Sequence, residues 1–211
     1  MIIDNTEQIK KLIAGCQSNE FYMLQIIHRS KDGKTKYEPE GKKISQQTIK
    51  TYYISSPEYL EYKMNEIRDL CHLFNARAYI NLNKKSWKQI SLKSLEILAS
   101  AIAKGDTDPN MYRDVKTVMD SACGQTGACD KNKTWVVDVD TKDTSELDVI
   151  KSAINICEPL GEDKIVAVIP TLHGYHLISK PFNKMKFHQL YDKEIDMHDN
   201  NPTLLYVNKE I

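Results

Sequence analysis

Thr134-Trp135-Val136-Val137-Asp138-Val139-Asp140 is the stretch from which the fold is read. Successive side chains on a strand point to opposite faces, so Trp135, Val137 and Val139 enter a core while Asp138 and Asp140 stand together on the other side. Two carboxylates held that close repel one another unless a cation sits between them. Hard divalent ions, Mg²⁺ or Mn²⁺, suit such a pair because they bind through one or two carboxylates and keep positions open for water and phosphate oxygens. The plainer alternative is a strand that ends at the surface, with two solvated acids beside Lys142 and Asp143.

Further along, Ile165 to Pro170 is a continuous apolar run, followed by Thr171-Leu172-His173-Gly174-Tyr175-His176-Leu177-Ile178. An apolar run, a tight turn at Gly174 and a second short apolar segment read as a hairpin of two adjacent strands. His176 alternates with Tyr175 and Leu177 and so faces one side by itself, whereas His173 sits in the turn and reads as a surface residue. Between the acids and the hairpin, Leu147, Ile150, Ile154 and Cys157 mark the inward face of a helix that Ser145 caps and Pro159-Leu160-Gly161 ends.

Val137-Asp138-Val139-Asp140, then Gly174-Tyr175-His176 on a hairpin, resembles the first two motifs of the archaeo-eukaryotic primase, or primase-polymerase, superfamily. The resemblance spans residues 134 to 207, about a third of the chain. It implies an α+β fold with a mixed or antiparallel sheet, helices layered on it and an RRM-like C-terminal lobe. It also implies Mg²⁺ or Mn²⁺ held by Asp138 and Asp140, and His176 against the phosphates of an incoming nucleoside triphosphate. Asp138, Asp140 and His176 are thus the candidate catalytic residues. The family carries a third acid after a hydrophobic residue on a later strand, and this chain offers Asp192 and Asp196. Ile195-Asp196 fits that pattern better, so Asp196 is the expected third metal ligand. Lys180, four residues beyond His176 on the same strand face, is a candidate second nucleotide-binding group, or a solvated residue before Pro181. Arg77 with Tyr79, then Lys84, Lys85 and Trp87, combine cations with rings that could grip a single-stranded DNA template; a solvated loop with one anchoring Trp is the plainer reading.

The 211 residues are 41% hydrophobic, enough for a full core in one domain or in two lobes, expected at 1–120 and 121–211. Lys plus Arg equals Asp plus Glu at 29 each, so no overall positive field steers the protein toward nucleic acid and any such contact rests on local clusters. No apolar run approaches a membrane span and no export signal opens the chain. Cys16, Cys71, Cys123, Cys129 and Cys157 are odd in number and form no Cys-x-x-Cys pair, which fits reduced thiols in a cytoplasm. A zinc site from Cys123, Cys129 and a distant His has the wrong spacing, so these read as small loop or core residues.

The remaining elements follow from pattern. Residues 1 to 16 read as a short amphipathic helix, Phe21 to His28 as a strand ending in the Lys31-Asp32-Gly33-Lys34 turn, and 35 to 47 as a polar, Lys-rich loop before a strand at Thr48 to Ile54. Ser55-Ser56-Pro57-Glu58 opens a helix with Leu60, Met64, Ile67 and Cys71 on its buried stripe. Ala76 to Leu82 reads as a strand, and Leu92, Leu95, Leu98 and Ile102 line another helix. A short helix near Met111 to Met119 precedes a flexible Gly124-Gln125-Thr126-Gly127 connection, which lacks the Lys-Ser/Thr ending of a phosphate-cradling loop. A helix at Lys184 to Leu190 and a strand at Thr203 to Val207 close the chain.

Together these features predict a metal-dependent nucleotidyltransferase that makes or extends primers on single-stranded template in DNA replication. The chain is short and has no helicase segment, so a separate helicase or other replication proteins are expected partners, as in a virus or mobile element, with the protein in the host cytoplasm. A metal-dependent nuclease or phosphodiesterase, or a noncatalytic nucleic-acid-binding protein of the same fold, are the alternatives.

Overall fold

A computed structural model describes residues 1–30, 46–105, 109–129 and 131–209, without the side chains of 109–114 and 116. Ten strands and six helices follow one another among these residues. They are β1 (Ile2–Asp4), α1 (Thr6–Leu12), β2 (Glu20–Arg29), β3 (Gln46–Ile54), α2 (Pro57–Leu73), β4 (Arg77–Ile80), β5 (Lys85–Ser86) and α3 (Trp87–Ala103). Then come α4 (Pro109–Gln125), β6 (Trp135–Val139), α5 (Thr144–Ile156), β7 (Ile165–Pro170), β8 (Tyr175–Ser179), α6 (Lys184–Leu190), β9 (Asp196–His198) and β10 (Thr203–Asn208).

The strands form two antiparallel sheets, so the protein is α+β. The first has the order β1-β10-β4-β2-β3, with β5 paired to β2, and the second has the order β7-β8-β6-β9. The second is built by a continuous strand-helix-strand-strand-helix-strand segment from β6 to β9. The last strand does not stay with that segment: β10 crosses back to lie between β1 and β4. One core joins the sheets, with Leu24, Ile26, Ile80 and Leu205 of the first packed in the same buried cluster as Val136, Ile169 and Ile178 of the second. The opposite face of β6 carries Val137 and Val139 into a second cluster with α5 and α6.

Local chemistry explains most boundaries. In α2, Ser56 accepts a hydrogen bond from the Tyr59 amide and Pro57 occupies the first turn. Its Leu60, Met64, Ile67 and Cys71 are fully buried, on the order of 2 kcal/mol each for the large aliphatic side chains. The α5 cap is Asp143, whose carboxylate accepts from the Ser145 amide, and not Ser145 itself. Residues 1–16 divide into β1 and α1, because Ile2–Asp4 pair with β10 across the whole length of the chain. The inward face of α3 also differs from the expected one. Ile90 and Ser94 are buried, with Trp87 and Ile97 against Phe21, whereas Leu92, Leu95 and Ile102 are exposed. Ser86 caps this helix, and the Trp87 ring, lodged against Phe21 and Tyr53, sets its rotation. The α4 helix runs on through Gln125, absorbing the first half of the expected Gly-rich connection. The turn at Lys31 to Lys34 and residues 35–45 of the polar loop lie outside the described residues. Among those residues no helix is long and apolar enough to cross a membrane.

Candidate active site

The hairpin β7–β8 brings His176 to β6 because Gly174 lets the turn close on the end of that strand. A Cβ built there would lie 1.9 Å from the Val139 carbonyl oxygen and 2.8 Å from both the amide nitrogen and the carbonyl oxygen of Thr141. No side chain fits. Thr171 secures the turn, donating its amide to the Gly174 carbonyl and accepting the Gly174 amide on its hydroxyl.

The register then sets the chemistry. Asp138 is directly opposite His176 on β8 and directly opposite Asp196 on β9. Side chains of directly opposed residues stand about 5 Å apart at Cβ, so three adjacent strands present a row of acid, acid and imidazole, with Asp140 just past the end of β6. Asp138 is held above the usual carboxylate range, first by burial and then by the negative charges of Asp140 and Asp196. His176 is pushed down to about 4, chiefly by burial, with Arg29 and His198 adding to the effect against Asp140. The imidazole is therefore neutral near pH 7. Its Nε2 lies 3.6 Å from Asp138 Oδ1, a dipolar contact and not an ion pair. Its Nδ1 lies 2.9 Å from the hydroxyl of Thr203, which belongs to β10 and so anchors the ring to the other sheet.

This row forms one wall of a cleft of about 580 Å³ between the sheets. The floor is the open face of the first sheet, with Gln25, Ile27 and Arg29 from β2 and Arg77 and Tyr79 from β4; His198 stands with the acids and His173 lies on the rim. The Arg29 guanidinium lies over the Tyr79 ring at 4.9 Å, and Arg77 Nη1 approaches the Tyr79 hydroxyl at 3.5 Å. On the far side of the acids a second space of about 380 Å³ is lined by Glu146, Tyr191 and Lys193 as well as by Asp138, Asp140 and Asp196. The acids thus stand on a ridge between two openings.

The donor set suits a hard dication: oxygen ligands, one of them with its charge disfavoured by like-charged neighbours that a cation would offset. Among the described residues no three His, Cys, Asp or Glu side chains converge closely enough to share an ion in this side-chain arrangement. Mg²⁺ commonly binds through one or two carboxylates and completes its shell with substrate oxygens and water, which is what the row can offer.

The other sequence candidates are dispersed. Asp192 is exposed and lines neither space. Lys180 lies beyond the far end of β8, paired with Glu162 at 2.9 Å, and lines a separate groove with Lys84. Lys85 is fully buried, donating to the carbonyls of Thr126 and Gly127 and to Asn200 Oδ1. Its charge is compensated inside the protein and its pKa is lowered to about 8 by burial. Trp87 is stacked within a cluster with Phe21 and Tyr53, at 4.1 and 5.0 Å between ring centres. Of the expected nucleic-acid group Arg77 and Tyr79 reach the cleft, and Lys84, Lys85 and Trp87 do not.

Sequence reasoning missed Arg29, His198 and Thr203. His198 repeats, as Asp196-Met197-His198, the alternate spacing that drew attention to Asp138 and Asp140. Arg29 shares a strand face with Gln25 and Ile27, but nothing in β2 says that this face meets the acids. Comparison with protein-family models, characterised proteins and solved structures gives no match.

Proposed function

We propose that the protein is a metal-dependent nucleotidyltransferase of primase-polymerase type, acting on nucleoside triphosphates in the cleft between the sheets. The observation that carries this reading is the register Asp196–Asp138–His176, with Asp140 alongside, on the wall of a cleft whose floor is cationic. The strand-helix-strand-strand-helix-strand order of the second sheet, β7-β8-β6-β9, supports an RRM-like lobe around that row.

Phosphoryl transfer asks a protein for positioning and charge neutralisation more than for covalent chemistry. Asp138, Asp140 and Asp196 would hold Mg²⁺ or Mn²⁺, whose contribution is to neutralise triphosphate charge. Arg29 and Arg77 present the only side-chain cations of the cleft floor among the described residues. In the tautomer whose Nδ1 accepts from the Thr203 hydroxyl, the neutral His176 carries its proton on Nε2 and donates it in a hydrogen bond to a phosphate oxygen at no cost in imidazolium charge. Single-stranded DNA is the proposed template and a separate helicase the proposed partner.

The test is incorporation of labelled nucleotides on primed and unprimed single-stranded templates with Mg²⁺ or Mn²⁺, comparing the parent with Asp138→Asn. Metal-dependent extension lost in the variant supports the reading. Shortening of the strand instead identifies a nuclease, and metal-independent binding without either reaction identifies a noncatalytic nucleic-acid-binding protein.

A further inference from the structure

A groove of about 400 Å³ opens at the other end of the β6–β8 pair. Its cations are Lys84, Lys131, Lys133 and Lys180, and among the described residues no acid lines it. In a chain with equal numbers of acidic and basic residues that is a concentrated departure from the mean. Lys84, Lys133 and Lys180 each touch one carboxylate, Glu20, Asp199 and Glu162, at 3.4, 3.1 and 2.9 Å. Lys131 has no ion pair among the described residues. The Lys133 and Lys180 pairs are solvent-exposed, and such pairs are worth only about 0–1 kcal/mol, so an arriving phosphate can replace their carboxylates, while the largely buried Lys84–Glu20 pair stays in place.

The groove's position gives it a ligand. Lys133 lies two residues before β6 and Lys180 immediately follows β8, so these antiparallel neighbours deliver both cations to the same end. Thr134 and Ile178 line the groove, while Val136 and Asp138, alternating with them on the same strand face, line the cleft. Cleft and groove therefore open at opposite ends of one face of the pair, separated by the core in which Val136 and Ile178 pack with Leu24 and Ile80, so a strand that reaches both runs around this core and not across it. At about 3.3 Å per residue Asp138 lies about 16 Å from Lys133. A cleft of this size holds a nucleotide, so a polymeric substrate must lie mostly outside it.

We propose that this groove binds the sugar-phosphate backbone of a single-stranded nucleic acid, the strand whose end is worked on in the cleft. The assignment deepens the nucleotidyltransferase reading and rests on it for the direction of the strand, but not for the binding itself. The probe is a fluorescein-labelled dT12 oligonucleotide, titrated by anisotropy in EDTA across a range of salt concentrations. Lys131→Gln with Lys180→Gln, both at exposed positions, should weaken binding about tenfold and make the plot of log affinity against log salt shallower by about 1.4, the single-strand value for two lost phosphate contacts. Lys93→Gln with Lys151→Gln removes the same charge from α3 and α5 and should bind as the parent does. Unchanged affinity in the first variant, or equal loss in the second, overturns the proposal. So does competition by polyglutamate of matched charge as effective as unlabelled dT12, which would make the occupant an acidic polypeptide. Because no metal is present, intact oligonucleotide binding alongside absent incorporation condemns the transferase reading alone, and incorporation without groove-dependent binding condemns the groove alone.

Discussion

Gly174→Ala is the sharpest test of how the site is assembled. The added methyl would lie 1.9 Å from the Val139 carbonyl oxygen and 2.8 Å from Thr141 N and O. Ordinary carbon contacts begin near about 3.5 Å, so the turn and the end of β6 must part by more than about 1 Å. All three atoms are backbone, and no rotamer change relieves them. Overpacking of this kind costs typically about 1–3 kcal/mol, occasionally more, and the absence of a yielding side chain puts this case at about 3 kcal/mol. For a chain of this size that is a fall of roughly 6–12 °C in melting temperature. The geometric effect is larger than the thermal one, because Asp140 lies between Val139 and Thr141 and moves with them. A misplacement of about 1 Å at reacting groups costs on the order of 100-fold in rate. Calorimetry gives the first quantity, and nucleotide incorporation well below the variant's melting point gives the second. A variant that melts within about 1 °C of the parent, or that folds and keeps parental incorporation, refutes the reasoning.

Asp138→Asn should abolish incorporation yet leave the metal-free protein at least as stable as the parent at pH 7. The folded carboxyl keeps its proton to higher pH than the unfolded one, so its charge opposes folding above that range, and a lower melting temperature in the variant would contradict the assigned repulsion. His176, held at about 4 against an ordinary 6.5, takes up a proton more readily when unfolded. Metal-free stability should therefore fall as pH drops from about 6.5 to 4, by about 3 kcal/mol at most; nuclear magnetic resonance titration checks the value, and titration of His176 near 6.5 excludes the buried neutral imidazole. Asp196→Ala should cost orders of magnitude in incorporation and Asp192→Ala little, since only Asp196 is opposite Asp138; equal effects would remove β9 from the site.

Sequence alone determined what depends on near neighbours. The alternation Trp135-Val136-Val137-Asp138-Val139-Asp140 dictated a strand with Val137 and Val139 on one face and Asp138 on the other. The alternating four- and three-residue spacing of Leu60, Met64, Ile67 and Cys71 dictated the buried stripe of α2, and the turn at Gly174 dictated the hairpin that carries His176. Each is a local preference of backbone geometry or a period of apolar side chains, repeated often enough to be read without the rest of the molecule. Tertiary structure decided whatever depends on contacts between distant segments. Pairing of Ile2–Asp4 with β10 turned the start of an apparent helix into a strand, and the lodging of Trp87 against Phe21 and Tyr53 rotated α3 away from its leucines. The return of β10 to the first sheet placed Thr203 behind His176, and the packing of the two sheets set Arg29 across from Asp138 while leaving Lys180 at the other end of its strand. Period and propensity carry no information about which faces meet. That choice is made by the shared core between the sheets, and with it the composition of the cleft.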